Sequence, residues 1–248
     1  MSKLSKLKSA PEVKIEKDKD TLGGGFQVLE SDAYDFNIKT AYMTEASSGA
    51  MMVNFDFEGA GKNEGVKFSH NFCVASGNAK GNKTYYTKDG VNYPLPGFSQ
   101  VNAIALLTCG EELADLETEE KVLKLYNKEA KGEINTTVDM ITDMQNKVIT
   151  LGVLKQIVDK TAKSDVTGAY EPTGETREQN EVDKIFGIED GRTVSEIENG
   201  VEEAEFLSKW IDKNKDQVRD RSTKTGAAKG APAGAEKSAK SSLFNKKK

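Results

Sequence analysis

Residues 32–74, DAYDFNIKTAYMTEASSGAMMVNFDFEGAGKNEGVKFSHNFCV, carry the pattern that decides the fold. Tyr34, Phe36, Ile38, Thr40 and Tyr42 alternate with Asp35, Asn37 and Lys39, which predicts a half-buried strand over Asp32 to Glu45 with the first set inward. After a turn at Ser47-Ser48-Gly49, Met51, Val53, Phe55 and Phe57 face one way while Met52, Asn54, Asp56 and Glu58 face the other. Beyond the loop 59–65, Val66, Phe68, His70, Phe72 and Val74 share a face opposite Lys67, Ser69, Asn71 and Cys73. Three such strands in succession predict an antiparallel meander.

Working outward, Val66 to Phe98 joins the third strand to a basic, tyrosine-rich loop and then to a helix. Lys80, Lys83, Tyr85, Tyr86, Lys88 and Tyr93 interleave with glycine and asparagine. Lysines attract phosphates and exposed rings stack bases, so the mixture suits single-stranded nucleic acid. An ordinary exposed hairpin turning at Asp89-Gly90 is the competing reading. Pro94 to Gly110 then changes to helical spacing through Val101, Ile104, Ala105 and Leu107. Leu113 to Thr118 reads as a connector, followed by strands at Lys121 to Glu129, Ile134 to Met144 and Lys147 to Lys160. The first of these would tolerate a helix, and Gly152 marks a bulge or bend in the last. The expected class is mainly β with helices: a five-stranded OB-type barrel with a helix between strands three and four, the alternative being another small antiparallel sheet with one helix.

The flanks differ in charge. The net charge of -5 averages residues 171–205, with 12 acids against 3 basic residues, and residues 219–248, with 9 basic residues against 2 acids. We expect a mobile arm over 1–21, the barrel over 22–160, an acidic linker and helical appendage over 161–218, and a disordered basic tail over 219–248. In the appendage, Glu178 to Phe186, Thr193 to Glu198 and Val201 to Val218 read as helices. Thr193 and Glu196 fit a capping box, and Phe206, Leu207, Trp210 and Ile211 form an apolar face that should pack on the barrel or bind a partner.

The patterns of catalysis fail. His70 is the only histidine and falls on an apolar strand face, and no HExxH, paired CxxC or EF-hand loop occurs. Residues 58–63, EGAGKN, depart from a phosphate loop at both ends. Cys73 and Cys109 read as buried free thiols of a reducing compartment. No cofactor and no metal are expected, and no apolar run is long enough for a signal peptide or a membrane span. In a barrel of this type the outward register around strands two and three would add Lys67 and Asn71 to the loop residues as DNA contacts, with Lys39 on the outward register of the first strand beside them.

The block from Lys67 through Leu116, with GNAKGNKTYYTKDGVNYPLPGFSQVNAIALLTCGEELADL within it, resembles the single-stranded DNA-binding proteins encoded by tailed bacteriophages. TLGVLKQIVDK and YEPTGETREQNEVDKIF are similar to the same group, and the likeness runs from about Phe26 to Trp210. It implies an OB-fold that coats single-stranded DNA in phage replication and recombination, without chemistry of its own, in the cytoplasm of the infected bacterial host. It also implies replication proteins (polymerase, helicase or sliding clamp) as partners through the C-terminal region, no membrane, and scope for self-association on DNA. The group's better-known members end in an acidic tail, whereas here the acidic run is internal and the terminus basic. Ser242, Leu243 and Phe244 resemble the last three places of the bacterial clamp-binding pentapeptide, while Lys240 and Ser241 miss the first two. A protein-interaction adaptor of such a complex is the alternative function.

Overall fold

The structure is a computed structural model that describes residues 28–127, 130–164 and 168–223. The expected arm over 1–21 and the tail motif Ser242, Leu243 and Phe244 lie outside the described residues.

The alternation builds the meander. Strands β1 (Asp32–Glu45), β2 (Met51–Gly59) and β3 (Lys67–Ala75) pair antiparallel in chain order. Phe36, Phe55, Phe57, Phe68 and Phe72 are each 2% exposed or less, and their neighbouring ring centroids lie 5.2 to 5.9 Å apart. Burying each such ring contributes about 1.5–3 kcal/mol, so this aromatic layer anchors the core.

The parity of β1 changes midway. Ile38 pairs with Phe57 but Thr40 pairs with Asp56, which leaves Lys39 as the extra residue of a β-bulge. One added residue moves every later side chain to the opposite face. Ala41 is therefore fully buried, while Thr40 and Tyr42, expected inward, stand on the outer face against Asp56 and Asn54.

Beyond β3, a separate hairpin of β4 (Tyr85–Lys88) and β5 (Val91–Pro94) precedes helix α1 (Pro96–Cys109). The helix ends where expected, with Gly110 left-handed and its N–H donated to the Leu106 carbonyl. Val101, Ile104 and Ala105 are buried in the main core cluster with the β1 to β3 rings. Gly97 is required at the helix start, because a Cβ there would stand 2.4 Å from the Cys73 carbonyl oxygen.

β6 (Thr118–Asn127) and β7 (Gly132–Ile141) form a hairpin, followed by the long strand β8 (Val148–Lys163). The first half of β1 pairs with β8 (Asp32 with Val153 through Asn37 with Val148), and Tyr42 and Met43 pair with β7. The chain is thus mainly β with few helices. Among the described residues β3 pairs only with β2, so the sheet stays open at that edge.

Two expectations beyond residue 160 change. Glu178 to Phe186, expected as a helix, is the end of strand β9 (Tyr170–Phe186), which pairs antiparallel with β8 along most of its length. The supposed linker is mostly the far part of this hairpin. Opposite Gly152 and Val153, Asp183 is the extra residue of a bulge, as the glycine suggested. Of the two remaining appendage helices, α2 (Val194–Glu198) forms where expected, with Thr193 as its N-cap and the anticipated capping box, whereas α3 (Phe206–Asn214) is shorter than the expected Val201 to Val218 and is followed by β10 (Val218–Asp220), parallel to β8.

Helix α3 packs on the sheet. Trp210, 4% exposed, clusters with Ala33, Leu154 and Phe186 over Gly152. Its indole N–H donates to Asp183 Oδ2 at 2.8 Å, and Arg219 lies 3.6 Å from the same carboxylate. The bulge therefore turns Asp183 toward the helix it holds. No helix among the described residues is long and apolar enough to cross a membrane.

Candidate nucleic-acid interface

The tyrosine-rich segment folds as the competing hairpin reading held, turning at Asp89-Gly90, where both residues have positive φ. Its base is pinned by two backbone bonds and one backbone-to-side-chain bond. Ser76 N–H donates to the Lys83 carbonyl, Lys83 N–H to Ser76 Oγ, and Leu95 N–H to the Thr84 carbonyl. Asn78 N–H donates to the Ser48 carbonyl at 2.8 Å, tying the segment to the turn between β1 and β2. Gly77 allows that approach, since a Cβ on it would stand 2.5 Å from the same oxygen.

Between hairpin and turn runs an open groove of about 560 Å³ lined by Lys80, Lys83, Tyr85, Tyr86, Cys73 and Leu95, among others. Lys83 Nζ sits 5.4 Å from the centre of the Tyr85 ring, a cation–π contact that occupies one face of a half-buried ring. Tyr86 and Tyr93 pair across the hairpin with centroids 5.7 Å apart and planes 26° from parallel. They are 45% and 43% exposed, so their rings remain available for stacking. Lys88, opposite Val91, stands exposed beside the turn.

Lys39, Lys67 and Asn71 are not gathered into this groove. Lys39 is the bulge residue of β1 and lies 3.5 Å from Glu58, whose cross-strand partner is Lys67. From Lys67 to Cys73 at the groove is six residues of strand, a span of about 20 Å. Along the way the outer face presents Asp56, which accepts from Thr40 Oγ1 and Ser69 Oγ at 2.7 Å each. Asn71 lies opposite Asn54, nearer the groove. The outer face is thus a mixed polar surface, and the concentrated Lys/Tyr constellation is confined to the hairpin end.

Cys73 corrects an expectation. It is exposed, on the outward register of β3 at the groove wall, while Cys109 is half-buried. Alternation predicted that outward register; what hid its consequence was treating thiols as core by default. Ser48, Ala50 and Ser76, also in the wall, carried no signal of chemistry.

His70 lies between Phe68 and Phe72, 5.9 and 4.6 Å from their ring centres. Burial lowers its pKa from 6.5 to about 4, so it is neutral at ordinary pH. Among the described residues no group of three or more His, Cys, Asp or Glu side chains is placed to hold a metal ion.

Fold and site together define a mainly β protein with an open, lysine- and tyrosine-lined groove at one end of its meander. No protein-family model matches the chain, and no curated protein matches it.

Proposed function

We propose that the protein binds single-stranded DNA without sequence preference, coating and protecting it in phage replication and recombination, without chemistry of its own. The observation that carries this reading is the exposed Tyr86–Tyr93 pair beside a groove lined by Lys80 and Lys83. Rings of that exposure stack any base, and the lysines meet the phosphates that follow. An OB-type arrangement fits the same reading, because β1 is shared between β8 and β7 along one edge and α1 follows the meander. The net acidity is compatible with DNA binding, since the local field at the groove governs association.

Anisotropy titrations with labelled oligo-dT, oligo-dA and duplex at low and high salt test the proposal. Binding of both single strands, weaker on duplex and falling steeply with salt, is the expected result. No binding to any single strand at low salt refutes it.

A second reading is an adaptor that recruits replication proteins such as a polymerase, helicase or sliding clamp. It is favoured by a groove of about 510 Å³ among α1, β9 and α2, lined by Ala103, Ile185, Val194 and Phe206. Phe206 is 37% exposed there and begins α3 within the acidic segment. Failure of the titrations together with capture of such a protein would select it.

A further inference from the structure

β6 is an edge strand of 10 residues, paired with β7 on one side and with no strand on the other among the described residues. Such an edge presents a row of backbone donors and acceptors ready for another strand. Its exposed apolar residues include Val122 at 64% and Tyr126 at 67%. Val122, Lys124 and Tyr126 share one face of the hairpin with Glu120, whereas Leu123 and Leu125 are half-buried on the other.

The sequence of this edge, TEEKVLKLYN, is self-complementary in one register. A two-fold axis perpendicular to the sheet must pass through a residue paired with its own copy, because directly opposed residues share a face. With the axis at Glu120, Lys121 or Lys124, like charges meet on it. With the axis at Leu123 no opposite charges are matched. With the axis at Val122, Glu120 faces Lys124 of the second copy and Lys124 faces its Glu120, while Thr118 faces Tyr126 on each side. That register matches two ion pairs on one face and places the most exposed aliphatic side chain of the strand against itself. Opposed charges and apolar pairs are the unit of cross-strand stabilisation.

We infer that β6 pairs antiparallel with β6 of a second copy of this chain about Val122, joining two molecules into one continuous sheet. The inference concerns a surface separate from the proposed DNA groove and stands whether or not the protein binds DNA.

The test is the oligomeric state of the full chain without DNA, by sedimentation over a concentration series. The wild-type chain self-associates to a dimer. Glu120→Lys places lysine against lysine at both ion pairs and weakens dimerisation by about tenfold or more; Lys124→Glu does the same with carboxylates. The double variant Glu120→Lys, Lys124→Glu restores the pairs with their signs exchanged and recovers the wild-type constant. A monomeric wild-type chain overturns the inference, as does a dimer indifferent to the single reversals or one not recovered in the double variant. Because these residues are exposed, all three variants fold, which circular dichroism checks.

An independent readout fixes the register. In a Cys73→Ser background, Val122→Cys places two thiols directly opposed, within disulfide reach, and mild oxidation crosslinks the dimer. Leu123→Cys, opposed to Lys121 of the other copy, crosslinks far less. Equal crosslinking at the two positions refutes the Val122 axis.

Discussion

Tyr86→Ala tests the groove most directly. Tyr85 is half-buried with the Lys83 ammonium over one face, so Tyr86 and Tyr93 supply the open ring surface of the site. Loss of one stacked base costs about 1–3 kcal/mol, which is about a 5- to 150-fold weaker Kd for oligo-dT. The pair also contributes about 0.5–1.5 kcal/mol to its own hairpin, so removing both rings will not give the sum of the two single losses. The hairpin is a two-stranded sheet separate from the main one, so the variant should keep the thermal transition of the parent. Asn92→Ala provides the control, because it breaks the 2.7 Å bond from Thr87 Oγ1 in the same hairpin and leaves both rings in place. Anisotropy with oligo-dT reads all three proteins. Tyr86→Ala binding as tightly as the parent, or Asn92→Ala losing as much as Tyr86→Ala, would refute base stacking at this pair.

Cys73 offers a reporter. It is exposed in the groove wall, so oligo-dT should slow its reaction with a maleimide while half-buried Cys109 stays slow throughout; an unchanged Cys73 rate places the DNA elsewhere. His70 should make stability depend on pH, because its pKa in the folded chain is about 4 against 6.5 unperturbed. Between those values the unfolded chain binds a proton that the folded chain does not, so stability is full above about pH 6.5 and falls by roughly 3 kcal/mol as pH drops through about 4. Urea unfolding across that range, compared with His70→Phe, checks it; identical pH profiles for the two proteins would sink the argument. Gly152→Val should cost about 1–3 kcal/mol, because even a Cβ there would stand 3.0 Å from the Trp210 ring. The emission of Trp210, the single tryptophan, should shift to the red as α3 is displaced, and an unmoved spectrum with unchanged Tm would contradict the packing described.

The meander was legible because one buried face imposes period two on Met51 to Val74 and on the first half of β1. Its second half was misread at a single residue. Nothing in the string around Lys39 marks it as extra, since a bulge is specified by the partner strand's register and not by the residue itself. The strand β9 was obscured for two reasons. Its outer part, Tyr170 to Glu178, is exposed and is held by backbone pairing to β8, so no burial pattern is written into it. Its inner part buries Val182, Ile185 and Phe186, a helical spacing that the bulge at Asp183 produces in an extended chain. Of the site, the hairpin residues were visible from composition and the Asp89-Gly90 turn. That Lys39 and Lys67 lie by Glu58, and that Cys73 lines the groove, depended on strand positions that only the folded sheet supplies.

The sharing of β1 also bears on how the chain is made. On one edge β1 meets β2 within a few residues of synthesis, but on the other Asp32 to Asn37 wait for Val148 to Val153. More than 100 residues separate those partners, which at about 5–20 residues per second leaves that edge without its strand for roughly 5–20 s on the ribosome. During that interval the meander is an unfinished sheet carrying most of the aromatic core. Its survival then rests on α1, the first later element able to cover the rings, so variants that weaken α1 should lower the yield of folded protein more than they lower the stability of the finished chain.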